Sequence, residues 1–254
     1  MMLAEQRRLK ILELLQEEGS ARVSYLSKTF DVSEPTIRQD LEKLEAEGYI
    51  IREHGGAFLQ SIPQQVGSLS LQHQENMDKK IRIGKKAAEF IQDWDSIILD
   101  SGSTTTEVAK NLTEKQHLQI ITNALNIALL IGSHPSIELL VTGGEFKAPT
   151  LSLTGERAAG FFQHLHVNKL FLATAGISWE AGLTYPGLSD LPVKKAMIAS
   201  ATEVYLVADS TKIGKASFAS LGGLDLLTYF ITDSGIEDKD RELFEQKGVK
   251  VILA

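Results

Sequence analysis

The sequence predicts a two-part α/β chain, a small winged helix-turn-helix followed by a larger domain with a mostly parallel sheet. Three observations predict it. Residues 20–56, SARVSYLSKTFDVSEPTIRQDLEKLEAEGYIIREHGG, place two short amphipathic segments around the turn Phe30-Asp31-Val32-Ser33 and end in a basic, glycine-closed hairpin. Residues 59–75, LQSIPQQVGSLSLQHQE, are rich in Gln and Ser and carry one Pro and one Gly, the composition of a linker. From about residue 76 helical segments alternate with short apolar runs, the pattern of βα units on a parallel sheet. The boundaries expected are therefore 1–58 for the helix-turn-helix, 59–75 for the linker and 76–254 for the α/β domain.

The bulk numbers fit this division. The chain has 254 residues, 43% of them hydrophobic, enough for one small and one larger core. It contains no cysteine, which excludes a disulfide framework and cysteine–metal sites. No apolar run approaches the ~18–20 residues needed to span a bilayer. The start MMLAEQRRLK lacks the apolar core of a signal peptide, so a cytoplasmic protein with no membrane partner is expected. Net charge is −7, and residues 1–58 hold eight Lys/Arg against eleven Asp/Glu. An acidic domain is a poor match for phosphate unless its charges are segregated. Arg22, Lys28, Arg38 and Arg52 are expected around one face, with Glu42, Glu45 and Glu47 toward the far end of the third helix. DNA affinity should then depend on salt and on pairing of subunits.

In the first part, Leu3, Ile11, Leu12, Leu14 and Leu15 with charges between them predict a helix over 3–18, stopped by Gly19. A second helix spans about 23–30 and buries Val23, Leu26 and Phe30. Ser33 is suited to cap the third helix, and Pro35 is tolerated in its first turn. Ile37, Leu41 and Leu44 form the buried stripe of that helix, and Gly48 ends it. Tyr49-Ile50-Ile51-Arg52 reads as a strand and Gly55-Gly56 as the tip of a wing. The third helix would then present Ser33, Glu34, Thr36, Arg38 and Gln39 to a major groove. Arg suits guanine, Gln suits adenine, and hydroxyls suit phosphates. Arg22, Arg52, His54 and Gly55 would flank it. The alternative is a small helical bundle used for protein contacts.

In the second part, strands are expected at Ile97–Leu99, Ile120-Ile121, Leu139–Val141, Leu170–Leu172, Val204–Val207, Tyr229–Ile231 and Val249–Ile252. Ligands of parallel sheets sit at the carboxyl ends of the strands. There stands Asp100-Ser101-Gly102-Ser103-Thr104-Thr105-Thr106, ahead of a helix expected at Glu107–Leu112. A glycine that admits a close anion, hydroxyls and helix N–H groups suit a phosphate or sugar hydroxyl. The Walker lysine is missing, so this is not an ATP-type loop. The other ends deliver Thr122-Asn123, Thr142-Gly143-Gly144 with Lys147 nearby, Ala175-Gly176, and Ala208-Asp209-Ser210-Thr211-Lys212. Each alone is ordinary turn chemistry; together they suggest a polyol or sugar-phosphate pocket, with Lys194 and Lys212 as phosphate partners. The histidines are scattered, so neither a metal site nor a Ser-His-Asp arrangement is assigned.

These residues together resemble the DeoR/GlpR family of bacterial sugar-operon regulators over nearly the whole chain. Val32 to Leu41, Leu44-Glu45 and His54-Gly55-Gly56-Ala57 match its N-terminal signature. Asp100 to Thr106, Thr122 to Asn126, Gly143-Gly144, Gly176-Ile177-Ser178, Gly182-Leu183-Thr184, Val193 to Met197 and Ala208 to Lys212 match its C-terminal one. The resemblance implies a repressor that binds double-stranded operator DNA through the winged helix. It also implies a C-terminal domain with a sugar-phosphate-isomerase-like fold that senses a phosphorylated sugar and associates into dimers or tetramers, with no cofactor. Asp100, Gly102, Ser103, Thr104, Thr105, Asn123, Gly143, Gly144, Gly176, Lys194, Asp209 and Lys212 would form the effector site. The chain departs from the family pattern in places. Gln39 stands for a second Arg, and His73 stands where Arg is common. Ala173-Thr174-Ala175-Gly176 replaces Gly-Ala-Asp-Gly, and Ser189-Asp190-Leu191-Pro192 precedes Val193-Lys194. The carboxylate lost at Ala175 removes a general base that isomerisation would need, so catalysis is not expected. An activator of the same type, or a sugar-phosphate isomerase carrying a regulatory DNA domain, stands as the alternative to a repressor.

Overall fold

A computed structural model describes residues 4–18, 20–46, 49–53, 55–59 and 75–254. The chain divides into two compact units, residues 1–68 and 69–254. The expected ends at Gly19 and Gly48, Glu47, the wing residue His54, and linker residues 60–74 with His73 lie outside the described residues.

The first unit contains α1 (Ala4–Glu18), β1 (Ser20–Arg22), α2 (Val23–Thr29), α3 (Glu34–Ala46), β2 (Ile50–Glu53) and β3 (Gly56–Leu59). The strands form an antiparallel sheet in the order β1-β3-β2. The apolar residues read from the sequence meet in one core: Ile11, Leu15, Val23, Leu26, Ile37, Leu41, Leu44 and Ile50 are buried, with Phe30 packed against them. Strand β1 was not anticipated. Three residues are too few to show alternation, and Ser20–Arg22 become a strand only because β3 pairs with them.

The core of this unit also holds a charge pair. Asp40, 3% exposed, lies on the buried side of α3 and accepts from Arg7 Nε of α1 at 2.5 Å, with Arg8 Nη1 at 3.6 Å. The pair ties α1 to the helix whose other face is exposed.

The second unit is a three-layer α/β domain. Its seven-stranded sheet is parallel throughout. The strands are β4 (Ser96–Leu99), β5 (Leu118–Thr122), β6 (Ile137–Val141), β9 (Val167–Leu172), β12 (Ala201–Val207), β14 (Tyr229–Thr232) and β15 (Lys250–Leu253), in the order β15-β14-β12-β9-β4-β5-β6. Each expected apolar run became one of these strands. Alternate residues serve opposite faces, as period two requires. Ile98, Leu170, Leu172, Leu206 and Phe230 join the core under α7 (Gly155–Gly160), α8 (Asp190–Ser200) and α9 (Asp238–Gln246). Ile97, Leu99, Phe171, Tyr205 and Ile231 join the core under α4 (Met77–Ala88), α5 (Ser103–Lys110) and α6 (Leu125–Ile131). Two small antiparallel pieces complete the unit: β7 (Glu145–Lys147) with β8 (Ser152–Thr154), and β11 (Gly182–Tyr185) between β10 (Gly176–Ser178) and β13 (Ala219–Gly222). Helix α5 begins at Ser103, four residues before the expected Glu107, so the Ser/Thr run forms its first turn.

Removing one member of a buried pair strands the other, which costs ~3–5 kcal/mol, whereas replacing both with apolar groups is close to neutral. Asp40→Ala is expected to lower stability by that amount in denaturant unfolding followed by circular dichroism. Arg7→Met with Asp40→Leu should recover most of the loss. A cost below ~1 kcal/mol for Asp40→Ala would mean that the pair does not hold α1 to α3.

Candidate functional site

Two sites emerge, one in each unit. In the first, the apolar stripe of α3 fixes which residues face out. With Ile37, Leu41 and Leu44 buried, Pro35, Arg38, Gln39, Glu42 and Lys43 are exposed and Glu34 and Thr36 half-buried. Ser33 precedes the helix: its Oγ lies 2.9 Å from Thr36 Oγ1 and accepts from Thr36 N at 3.4 Å. The exposed Gly55 makes the wing turn, and its carbonyl accepts from Val23 N at 3.0 Å, which anchors the wing to the start of α2. Arg22, exposed at the end of β1, pairs in register with Gly56.

The charges on this surface are not segregated as expected. Arg38 Nη2 donates to Glu34 Oε2 at 2.8 Å, one helical turn away. Strand β2 runs back beside α3, so Arg52 meets the acids at the far end of the helix. Its Nε donates to Glu45 Oε2 at 2.7 Å, its backbone N to Glu45 Oε1 at 3.2 Å and its Nη1 to Glu42 Oε1 at 3.3 Å. The Arg52 side chain holds the Glu45 carboxyl below its ordinary pKa, so the pair stays charged.

The second site is a cavity at the carboxyl ends of β4, β9 and β12. The β4 side contributes Ser101, Gly102, Ser103 and Thr104, and the β9 side Ala173, Thr174 and Ala175. Val207, Ala208 and Lys212 follow from β12; Tyr185, Pro186, Asp190 and Lys194 come from β11 and α8. Lys147 and Thr150 come from the β7–β8 hairpin, and Lys80 from α4. The wall thus carries four lysines and one carboxylate.

Gly102 allows the β4 loop to touch β9: a Cβ there would lie 2.7 Å from Ala173 Cβ. Its carbonyl accepts from Thr106 N at 3.0 Å, Thr105 Oγ1 at 2.9 Å and Thr106 Oγ1 at 2.7 Å. Thr105 is therefore turned inward and is absent from the wall; Ser103 and Thr104, with the N-terminus of α5, remain. The dipole and open N–H groups of a helix start favour an anion.

Asp100 is wholly buried behind the wall. Lys194 Nζ donates to its oxygens at 2.7 and 2.6 Å, and Ala173 N to Oδ2 at 3.0 Å. Lys194 Nζ also lies 4.6 Å from the Tyr185 ring centroid. Tyr185 Oη donates to Ala173 O at 2.7 Å; burial, with the charge of Asp100 added, holds this phenol well above its usual pKa. Lys147 Nζ reaches Asp190 Oδ2 at 2.5 Å. Burial lowers the pKa of Lys80, and the nearby Lys212 lowers it further while Asp209 opposes. Asp100 and Asp190 are thus each held by a lysine of the wall.

Of the residues expected here, Gly102, Ser103, Thr104, Lys194 and Lys212 line the cavity and Asp100 stands behind it. Asp209 is buried behind Ala208; its Oδ1 accepts from Thr211 N at 3.1 Å, and its Oδ2 has no partner among the described residues. Asn123, Gly143, Gly144 and Gly176 are not on the wall. Asn123 Nδ2 donates to Leu153 O at 3.1 Å and so holds β8. Gly143 and Gly144 are exposed beyond β6, and Gly176 is buried in β10. Lys80, Lys147, Thr150, Thr174, Tyr185 and Asp190 were not singled out as site residues. A signal existed for Lys80, which falls in step with the buried Ile83, Gly84 and Ala87 of α4. Among the described residues no cluster of three or more His, Asp or Glu could hold a metal ion, and no helix is long and apolar enough to cross a membrane.

Overfilling a packed contact costs ~1–3 kcal/mol. Gly102→Ala is expected to lower the thermal midpoint of the sheet domain accordingly. Gly143→Ala, where a Cβ meets nothing within 4 Å, should leave it unchanged. Equal midpoints would show that the β4 loop does not press on β9.

Comparison with known proteins places both sites in a family. Residues 7–62 match the DeoR-like helix-turn-helix domain and residues 75–234 the DeoR C-terminal sensor domain. The transcriptional regulator YulB of Bacillus subtilis is 36% identical over 98% of this chain and 96% of its own length. The lactose phosphotransferase system repressor of Streptococcus mutans is 33% identical over 94% and 96%. Among solved structures, ribose 5-phosphate isomerase A of Methanocaldococcus jannaschii aligns with a TM-score of 0.41 and 17% identity over 55% of each chain. Both full-length relatives of this chain described above are named as regulators, and the chain belongs to the DeoR family of DNA-binding transcriptional regulators.

Proposed function

We propose that the protein represses a carbohydrate-utilisation operon and that a phosphorylated sugar, bound in the cationic cavity, lowers its affinity for operator DNA. Residues 1–58 serve as the DNA-binding domain, 59–75 as the linker and 76–254 as the sensing and oligomerisation domain. The observation that carries the effector is the convergence of Lys80, Lys147, Lys194 and Lys212 with the start of α5 on one cavity. A phosphate matches that charge, and Thr150, Thr174 and Asp190 offer partners for sugar hydroxyls.

On DNA, Arg38 and Gln39 read base edges, Ser33, Thr36 and Arg22 hold phosphates, and Arg52 with the His54–Gly55 wing flanks the groove. Glu34 steers Arg38 until the groove replaces it. Two-fold assembly, as a dimer or tetramer, doubles the half-site contacts and offsets the acidity of the domain. The effector acts only by binding the low-affinity arrangement better than the DNA-competent one. The name of the S. mutans relative, a lactose phosphotransferase system repressor, supports both the sign of regulation and the class of operon.

The test is binding of labelled upstream DNA at two salt concentrations with and without sugar phosphates. Binding that weakens steeply with salt, and that one compound releases, is expected. Absence of binding at low salt would overturn the DNA-reading role. Arg38→Ala should cost ~1–3 kcal/mol of specific binding if Arg38 makes a bidentate guanine contact; parental affinity in the variant would refute that contact.

A further inference from the structure

The cavity wall formed by α4 is held differently from the rest. Lys80 lines the cavity, while its neighbours in the same first turn reach sideways to the segment after β12 and to the end of β14. Lys79 Nζ lies 2.9 Å from Asp233 Oδ2 and 3.3 Å from Ser210 Oγ. Asn76, at φ 54, donates from Nδ2 to Asp209 Oδ1 at 3.4 Å and to Thr211 Oγ1 at 3.3 Å. The segment Asp209–Thr211 runs directly into Lys212, which is also on the wall. The start of α4 therefore rests on the strip that carries one cavity lysine and itself carries another.

We infer that Asn76 and Lys79 are positioning residues that convert occupancy of the cavity into a change in DNA affinity; the inference rests on the cavity being the effector site. Lys80 and Lys212 line the same cavity from α4 and from the strip. An anion between them attracts both and favours a tighter arrangement of α4 against the strip. This supplies the differential affinity that a population shift requires. Further along, α4 cannot slide freely on α5, because a Cβ at Gly84 would lie 2.5 Å from the Glu107 carbonyl carbon. Movement is thus left to the first turn, which is where the chain from the DNA-binding unit joins the sensor domain.

The test uses the full chain with glucose 6-phosphate, fructose 6-phosphate, ribose 5-phosphate and inorganic phosphate, each against chloride at equal ionic strength. Thermal shift reads probe binding, and fluorescence anisotropy on upstream DNA reads release. Taking allosteric coupling in its usual range, the parent should lose about fivefold or more in DNA affinity with the binding probe. Lys79→Gln should bind probe and DNA each within about twofold of the parent, yet lose less than about twofold on adding probe, and Lys79→Arg should restore release. Release by Lys79→Gln equal to the parent's would overturn the inference and leave the effector site standing. No probe binding by the parent would overturn the effector site and the inference with it. Should Lys79→Gln lose the fold or the probe, Asn76→Ala decides: weakened release with binding intact supports the inference, and full release overturns it.

Discussion

A buried carboxylate, Asp100, holds the sensor domain's cavity in shape. The sheet grows from β4 toward β5 and β6 on one side and from β9 toward β12, β14 and β15 on the other. The chain after β4 enters α5 on one face, and the chain after β9 leads to β10, β11 and α8 on the other. Such a switch point opens a crevice at the carboxyl edge. Asp100 spans it, accepting from Ala173 N beyond β9 and from Lys194 of α8. A charge this deeply buried survives only with its partners in place. The position of Lys194, and with it the Tyr185 ring beneath the ammonium, follows from that requirement.

The DNA-binding unit uses charge pairs of both kinds. Arg7–Asp40 is buried and structural, and it fixes the back of α3. Arg38–Glu34 is exposed on the outward side of α3, and Arg52–Glu45 is half-buried where β2 runs beside it. Exposed pairs are weak because water and salt compete with them. The same helix is thus held at the back by its buried acid and carries a lightly held pair on its outward side. In the proposed mode of DNA binding the acids stand in for phosphate until phosphate arrives, which is how a domain with more acidic than basic residues meets a polyanion.

How much of this was legible depended on the length and environment of each element. Seven strands of four to seven residues, the central ones buried on both faces, announce themselves as apolar runs, and helices between them imply parallel order. The three- and four-residue strands β1, β7, β8, β10, β11 and β13 carry too few residues for alternation and exist through their partners. The place of Ser101–Thr104 at the carboxyl edge was legible because they follow an apolar strand and lead into a helix. Thr105 was misjudged because the helix begins at Ser103, which turns its hydroxyl onto Gly102. Lys147 and Asp190 meet only because the β7–β8 hairpin folds over the start of α8. Nothing local in sequence reports that encounter, whereas Lys80 betrayed itself by occupying a buried helical stripe.

The parallel sheet also constrains how the domain can respond. Packed on both faces, it cannot flex without opening two cores, so in the proposed mechanism a change at its carboxyl edge leaves through the elements that wall the cavity. Helix α8 is bound to Asp100 by a buried ion pair, and the start of α5 is locked by three bonds to the Gly102 carbonyl. The first turn of α4 is tied by one partly exposed ion pair and by hydrogen bonds of 3.3 Å or longer. Of these three elements it is the one that follows the connection to the DNA-binding unit in the chain, so in the proposed mechanism a change at the cavity passes there to the rest of the molecule.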